Sequence, residues 1–359
     1  MNTKLNRRHF VELCAGSTAA LGLSLLKFPE FEQLFAQAIK EVPIIWIQGS
    51  GDNGCSVSAL NVIPPTIQDL LLTDVVPGSH VSMRFHPTIM ASQGKLAEKI
   101  LRETEAAGSY VMVLEGGIPT KDGGIYNTLF ETDGGAPIPL IDTVTRVAKG
   151  AIAAIAIGTC ASSGGISRTP PNVGGVKGLA EVLKDAGVST PVINIPGCPP
   201  HPDWFFGTVV QLLMSGDPKS IPVDKDLRPL AFYGKLIHDQ CPRRGSFNAK
   251  QFAKNFGEPD CMYELGCKGP VTHADCNDRL WNNKTKWCVE AGTTCIGCTE
   301  LAFPMFKNTV GNLDALNLPV DMTEPLDKVA IGLVGATAVG VAAFAATRAG
   351  SKDKSESGH

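Results

Sequence analysis

Ten cysteines lie beyond residue 40 of this 359-residue chain, and their spacing is uneven. Cys55, Cys160 and Cys198 stand far apart, whereas Cys241, Cys261, Cys267, Cys276, Cys288, Cys295 and Cys298 crowd into 58 residues, just after His238. Cysteine at such density serves disulfides, zinc or iron–sulfur chemistry. His238-x2-Cys241 with Cys261 and Cys267 makes one plausible four-ligand set, and Cys276, Cys288 and the Cys295-x-x-Cys298 pair make a second. Zinc accepts the same ligand types, and an exported protein would favour disulfides. The spacing of the second set does not choose among the three.

The scattered cysteines become informative once the elements that carry them are drawn. From Pro43 short apolar runs alternate with helical stretches. Ile44–Gln48, Val81–Phe85, Tyr110–Leu114, Ala151–Gly158 and Pro191–Ile195 read as strands, the fourth apolar throughout as a central parallel strand should be. Thr66–Leu72, Ser92–Ala107, Leu140–Lys149 and Gly175–Ala186 read as the intervening helices. The alternation predicts an α/β, flavodoxin-like doubly wound parallel sheet over residues 43–215. Cys55, Cys160 and Cys198 then each follow the carboxyl end of a strand, where open α/β sheets form their ligand crevice. Three distant thiols are thus expected at one site. Asp52 stands three residues before Cys55, where a C-x-x-C pair would have its first cysteine, and its carboxylate is a candidate fourth ligand. The plain alternative is a turn or capping aspartate in a Gly-rich loop.

Residues 225–310 are polar, irregular and rich in Gly and Pro, and are read as a second, cluster-bearing domain. At the N-terminus Asn6-Arg7-Arg8-His9-Phe10, an apolar stretch Leu13–Leu26 and the small-x-small Ala36-Gln37-Ala38 follow the order of a twin-arginine export signal over residues 1–38, which contains Cys14. At the other end, uncharged residues 329–347 would span ~30 Å as a helix, about one bilayer core. Arg348, Lys352 and Lys354 in the tail 348–359 place that tail in the cytoplasm and the folded body outside, as a single-pass periplasmic membrane protein. A net charge of −3 offers no basic surface for nucleic acid.

Longer motifs now matter. Ile45-Trp46 before the first cysteine loop, Glu115-Gly116-Gly117-Ile118-Pro119, Gly158-Thr159-Cys160-Ala161 and Pro196-Gly197-Cys198-Pro199-Pro200 run through the first half. His238-x2-Cys241-Pro242-Arg243-Arg244, Glu264-Leu265-Gly266-Cys267-Lys268-Gly269-Pro270 and Cys295-Ile296-Gly297-Cys298 run through the second. In these the chain resembles the small subunit of nickel–iron hydrogenases over almost its whole length. The resemblance implies an oxidoreductase acting on hydrogen, with the nickel–iron site on a large-subunit partner. It implies three clusters in a row: Cys55, Cys160 and Cys198 at the proximal one, Cys276, Cys295 and Cys298 at the medial one, and His238, Cys241, Cys261 and Cys267 at the distal one. Electrons would leave for a membrane cytochrome b or another quinone-reducing subunit, from a heterodimer or a dimer of heterodimers.

Two departures stand out. Most members have cysteine where this chain has Asp52, and many have proline where it has Cys288. With Cys288 as a ligand, three [4Fe–4S] clusters are expected; without it the medial cluster becomes [3Fe–4S]. Gly54 before Cys55 and Ser162-Ser163-Gly164 after Cys160 leave no extra cysteines for a six-cysteine proximal cluster. Two rival readings remain at this point. One is the related electron-transfer component of quinone-reducing complexes, which lacks the second cysteine group. The other is an exported, membrane-tethered binding protein stapled by disulfides.

Overall fold

The computed structural model describes residues 41–62 and 80–305. The signal at 1–38, the helix expected at Thr66–Leu72, the anchor at 329–347 and the tail at 348–359 lie outside the described residues. Among the described residues no helix is long and apolar enough to cross a membrane.

Five parallel strands form the central sheet: β1 (Glu41–Gln48), β2 (His80–Phe85), β3 (Val111–Glu115), β6 (Ala153–Ile157) and β7 (Val192–Ile195). Their order is β2-β1-β3-β6-β7, all parallel, which is the flavodoxin order. β3 and β6 are buried along their whole length, as strands covered on both faces must be. Alternate side chains feed opposite faces. Trp46, Val113 and Ile155 join one cluster, while Ile45, Ile47, Met112 and Ala154 join the other. Helices α2 (Gly94–Ala107), α3 (Leu140–Gly150) and α5 (Leu179–Asp185) cover the second face through Leu101, Val144 and Val182. The first face is covered by α1 (Gly54–Leu60) and α6 (Pro202–Ser215) through Ala59, Phe205 and Val209.

Differences from the sequence reading have local causes. The helix expected from Gly175 starts only at Leu179, because Lys177 exchanges two backbone hydrogen bonds of 2.9 Å with Ile118. Strand β6 stops at Ile157, since Gly158 turns with φ +85° into a short helix, α4 (Gly158–Ser163). β3 runs one residue further than expected and takes in Glu115. A two-stranded hairpin, β4 (Thr128–Glu131) with β5 (Pro137–Pro139), and helices α1 and α4 were not expected; all are too short to show a period.

After α6 regular structure almost ends. Single helical turns α7 (Leu230–Tyr233), α8 (Arg244–Asn248) and α9 (Cys276–Arg279) punctuate loops. These loops pack on the α1/α6 face, and Trp287, Val289, Cys276 and Cys295 belong to the same cluster as Trp46 and Phe205. His201 begins α6 by accepting from the Asp203 N–H at 3.1 Å, with Pro202 in the first turn. Its other ring nitrogen meets the Leu280 carbonyl at 2.8 Å, a structural role in keeping with its place beside proline. Burial and the Arg279 cation lower its pKa against the opposing pull of nearby carboxylates, so its ring stays neutral near pH 7.

Candidate metal centres

The first group forms at the carboxyl ends of β1, β6 and β7, as their order requires. Cys55 lies in the first turn of α1, Cys160 in α4 and Cys198 in the loop after β7. The Cys55 sulfur packs directly on Gly158, where an added Cβ would lie 2.4 Å from it, so only glycine lets the two cysteine segments meet. Ser58 of α1 donates to the Pro200 carbonyl at 2.6 Å, tying the Cys55 helix to the Cys198 loop.

Glu115 organises this corner. Its buried carboxylate accepts from the N–H groups of Cys55 (2.9 Å) and Ser56 (3.0 Å), from the Trp46 indole (3.0 Å) and from the Ser56 hydroxyl. It thus satisfies the exposed donors at the start of α1 and holds Cys55 in place. This agrees with a structural carboxylate bonded to backbone. His86 fills the space behind it, 3.3 Å from the Ser56 hydroxyl, and burial depresses its pKa to about 4.

Asp52 does two things. One oxygen accepts from the Gly54 N–H at 2.9 Å, which is the turn role. The same exposed carboxylate lies near enough to Cys55, Cys160 and Cys198 for its charge to oppose ionisation of each. Burial is the larger cause in all three thiols and pushes every one upward.

Farther along, His238, Cys241, Cys261 and Cys267 line one cavity. The buried Nε2 of His238 has no hydrogen-bond partner. Its ring stands edge-on to Phe247, 4.4 Å between centres, in an aromatic group with Phe252 and Tyr263. Cys276 and Cys295 are buried and Cys298 is half-buried; the charges of Cys298 and Cys295 would oppose ionisation of Cys276, and that of Cys298 would oppose ionisation of Cys295. Burial pushes the Cys298 thiol up to about 12. Cys288 joins them through Cys298 and also faces Cys267 across the gap.

Adjacent groups touch. The Thr159 hydroxyl, beside Cys160, donates to the Cys298 carbonyl, linking the first group to the second. The Lys268 N–H, beside Cys267, donates to the Cys295 carbonyl at 2.7 Å, linking the second to the third.

Four arginines hold these loops, and the sequence marked only Arg243 and Arg244 among them. Arg228, 1% exposed, bonds Asp224 (2.8 Å), Glu300 (2.9 Å) and the Thr299 carbonyl (3.1 Å), pinning the segment just after Cys298. Arg279 joins Asp275 (2.6 Å) to Asp203 of α6 (2.9 Å). Arg243 donates to the carbonyls of Glu258, Asp260 and Val289, so it braces the Cys261 and Cys288 loops, while Arg244 pairs with Asp239 at 3.0 Å. Nothing in the local sequence distinguishes Arg228 and Arg279 from surface arginines, whereas Arg243 and Arg244 belong to the motif that begins at His238.

The donor chemistry fits a polynuclear metal group. All ten cysteines among the described residues have free thiols, and burial raises every one of their pKa values. Clustered thiols of this kind ionise only beside a compensating cation. Among the described residues no three His, Cys, Asp or Glu side chains converge tightly enough for a single ion. An orphaned imidazole nitrogen in a residue that lines a cavity with three thiols suits iron–sulfur ligation.

Comparison with known proteins agrees. Residues 233–310 match the family of the C-terminal part of the NiFe/NiFeSe hydrogenase small subunit, and residues 53–212 match the family of the NADH ubiquinone oxidoreductase 20 Kd subunit. The chain is 40% identical over 314 residues to the periplasmic [NiFeSe] hydrogenase small subunit of Desulfomicrobium baculatum, covering 85% of this chain and 98% of that one. It is 34% identical over 368 residues to the quinone-reactive Ni/Fe-hydrogenase small chain of Wolinella succinogenes, covering 98% of both. A solved Dm. baculatum [NiFeSe] hydrogenase superposes with a TM-score of 0.71 at 39% identity, over 76% of this chain and 99% of that one. An actinobacterial-type NiFe hydrogenase from Ralstonia eutropha H16 gives 0.71 at 31% identity, over 84% and 91%. The chain belongs to the nickel–iron hydrogenase small-subunit family. Members are parts of oxidoreductases whose catalytic site lies on the large subunit, and they bind iron–sulfur clusters.

Proposed function

We propose that this chain relays electrons, one at a time, from hydrogen oxidation on its large subunit to a quinone-reducing membrane partner. Asp52, Cys55, Cys160 and Cys198 would hold the first cluster. Cys276, Cys288, Cys295 and Cys298 would hold the second, and His238, Cys241, Cys261 and Cys267 the third. The observation that carries the reading is the serial linkage of the three groups, the first joined to the second by the Thr159 hydroxyl on the Cys298 carbonyl and the second to the third by the Lys268 N–H on the Cys295 carbonyl. The likeness to a quinone-reactive small chain supports a quinone-reducing partner, and the likeness to a periplasmic small subunit supports a periplasmic body, in keeping with an export signal at 1–38 and an anchor at 329–347.

When bound, iron–sulfur clusters supply one-electron redox chemistry. The residues of this chain tune it. Cysteine thiolates bring negative charge, which favours the oxidised form. His238 is neutral, so its group carries one negative charge fewer and is the natural electron sink of the series. Asp52 keeps the charge of the thiolate it replaces but bonds less covalently. The backbone N–H groups of Ile166 and Ser167 favour the ionised form of Cys160 against the opposing effect of burial.

Anaerobic purification of the whole complex with metal counting tests the proposal. About twelve irons per copy of this chain, with nickel in the partner chain, are expected. About eleven irons with a three-iron EPR signal in the native protein would remove Cys288 from the ligands. Zinc in place of iron, or sulfurs bonded to one another, would overturn the relay. Asp52→Ala should alter the EPR signal of the first group and slow electron exit; an unchanged spectrum and rate would leave Asp52 with only its hydrogen bond to Gly54.

A further inference from the structure

One hydroxyl ties the first cysteine group to the second. Thr159 is 1% exposed, and its side chain donates to the Cys298 carbonyl and accepts from the Gly197 N–H at 2.9 Å. Its own N–H donates to the Gly197 carbonyl at 3.0 Å. The three segments joined here all carry cysteines: Cys160 follows Thr159, Cys198 follows Gly197, and Cys298 is itself the acceptor.

The neighbouring hydroxyls of α4 behave differently. Ser162 donates to the Gly158 carbonyl at 2.9 Å and Ser163 to the Thr159 carbonyl at 3.2 Å, both within the helix. Such back-bonding is the ordinary fate of a helical hydroxyl. Thr159 stands in the first turn, where α4 offers no preceding helical carbonyl, and its hydroxyl reaches across 139 residues of sequence instead. The loop it grips has little freedom to shift. Gly197 has φ +155°, and an added Cβ there would meet the Pro200 Cα at 2.4 Å.

We propose that Thr159 is a positioning residue that sets the separation of the first and second centres and provides the hydrogen-bonded bridge between them. The proposal rests on the iron–sulfur reading above. Electronic coupling falls steeply with the width of a through-space gap and survives better through a hydrogen bond. The bridge therefore governs how fast an electron passes, as well as where the Cys298 loop sits.

The test uses the whole complex, purified without air, with wild type, Thr159→Val, Thr159→Ser and Thr159→Ala. Iron is counted first. Magnetic interaction between the first two centres is then read by EPR, their potentials by redox titration, and transfer between them by rapid freeze-quench. Thr159→Val, equal in shape but without the hydroxyl, should keep its iron, weaken the interaction and slow transfer several-fold. Thr159→Ser should restore the wild-type signature. If the valine variant fails to assemble, a slowed Thr159→Ala beside a normal Thr159→Ser supports the bridge equally. Wild-type interaction and rate in Thr159→Val or Thr159→Ala would overturn it. So would loss of iron in Thr159→Ser, because the hydroxyl would then not be what matters. Absence of iron from the wild-type chain would sink the cluster reading itself, a result distinct from an iron-loaded, unperturbed Thr159→Val.

Discussion

The sheet region and the loop region hold cysteines by opposite means. Cys55, Cys160 and Cys198 sit at the ends of strands whose apolar sides fill two cores, so backbone periodicity places them. Cys241 through Cys298 sit on loops with only single helical turns, where arginine hydrogen bonds to distant carboxylates and carbonyls add to the apolar contacts of Trp287, Val289, Cys276 and Cys295. Apolar burial stabilises a fold in rough proportion to area, with no partner to lose. A buried ion pair adds little net stability but becomes costly once one member is gone. The first region should therefore tolerate the absence of metal, and the second should not.

Removing iron gives the sharpest contrast. Chelation of the oxidised complex should abolish hydrogen-exchange protection across 221–305 while β1, β3 and β6 stay protected. Equal loss in both regions would show that the sheet depends on metal as much as the loops do.

A pH effect comes next, and it belongs to the sheet region. His86 has a folded pKa near 4, below its ordinary 6.5. Below pH 6.5 the unfolded chain takes up a proton that the folded chain refuses, so stability falls as pH drops from 6.5 towards 4. The contribution is fully present above pH 6.5 and amounts to about 3 kcal/mol. His86→Phe should flatten stability in this window; an unchanged slope would assign the acid sensitivity elsewhere.

Third in size is Arg228→Met. It removes the cation from half-buried Asp224 and Glu300, which keep backbone N–H partners, so a loss of about 1–3 kcal/mol is expected. Denaturant unfolding should show it, with EPR of the second group broadened ahead of the first. A loss below about 1 kcal/mol would mean that the loops are held by something other than this cation.

The smallest effect is expected on the surface of the loop region. Lys254 pairs with Glu264 at 2.5 Å, but both are well exposed. Lys254→Ala should cost no more than about 0.5 kcal/mol by thermal unfolding. A larger cost would make even surface pairs part of the scaffold there.

Much of the first region could be read from residue order. Five strands were expected within a few residues of where they lie, because a strand buried on both faces must be an unbroken apolar run. The convergence of Cys55, Cys160 and Cys198 follows from that alone. Helices α1 and α4, which carry Cys55 and Cys160, escaped notice, since one or two turns carry no period. In the second region the grouping of His238 with Cys241, Cys261 and Cys267 rested on order and resemblance, and the shared cavity now brings the four together.

Residue order alone thus determined the sheet, the strand ends that bear the first three cysteines, and the supply of soft ligands. Tertiary structure decided which groups hold them. Glu115 meets Ser56 across 59 positions, Arg228 meets Glu300 across 72, and Thr159 meets Cys298 across 139. Apolar burial leaves a repeating local signature because every residue of an element shares it. A hydrogen bond between two distant side chains leaves none, because its geometry exists only after the chain has brought them together.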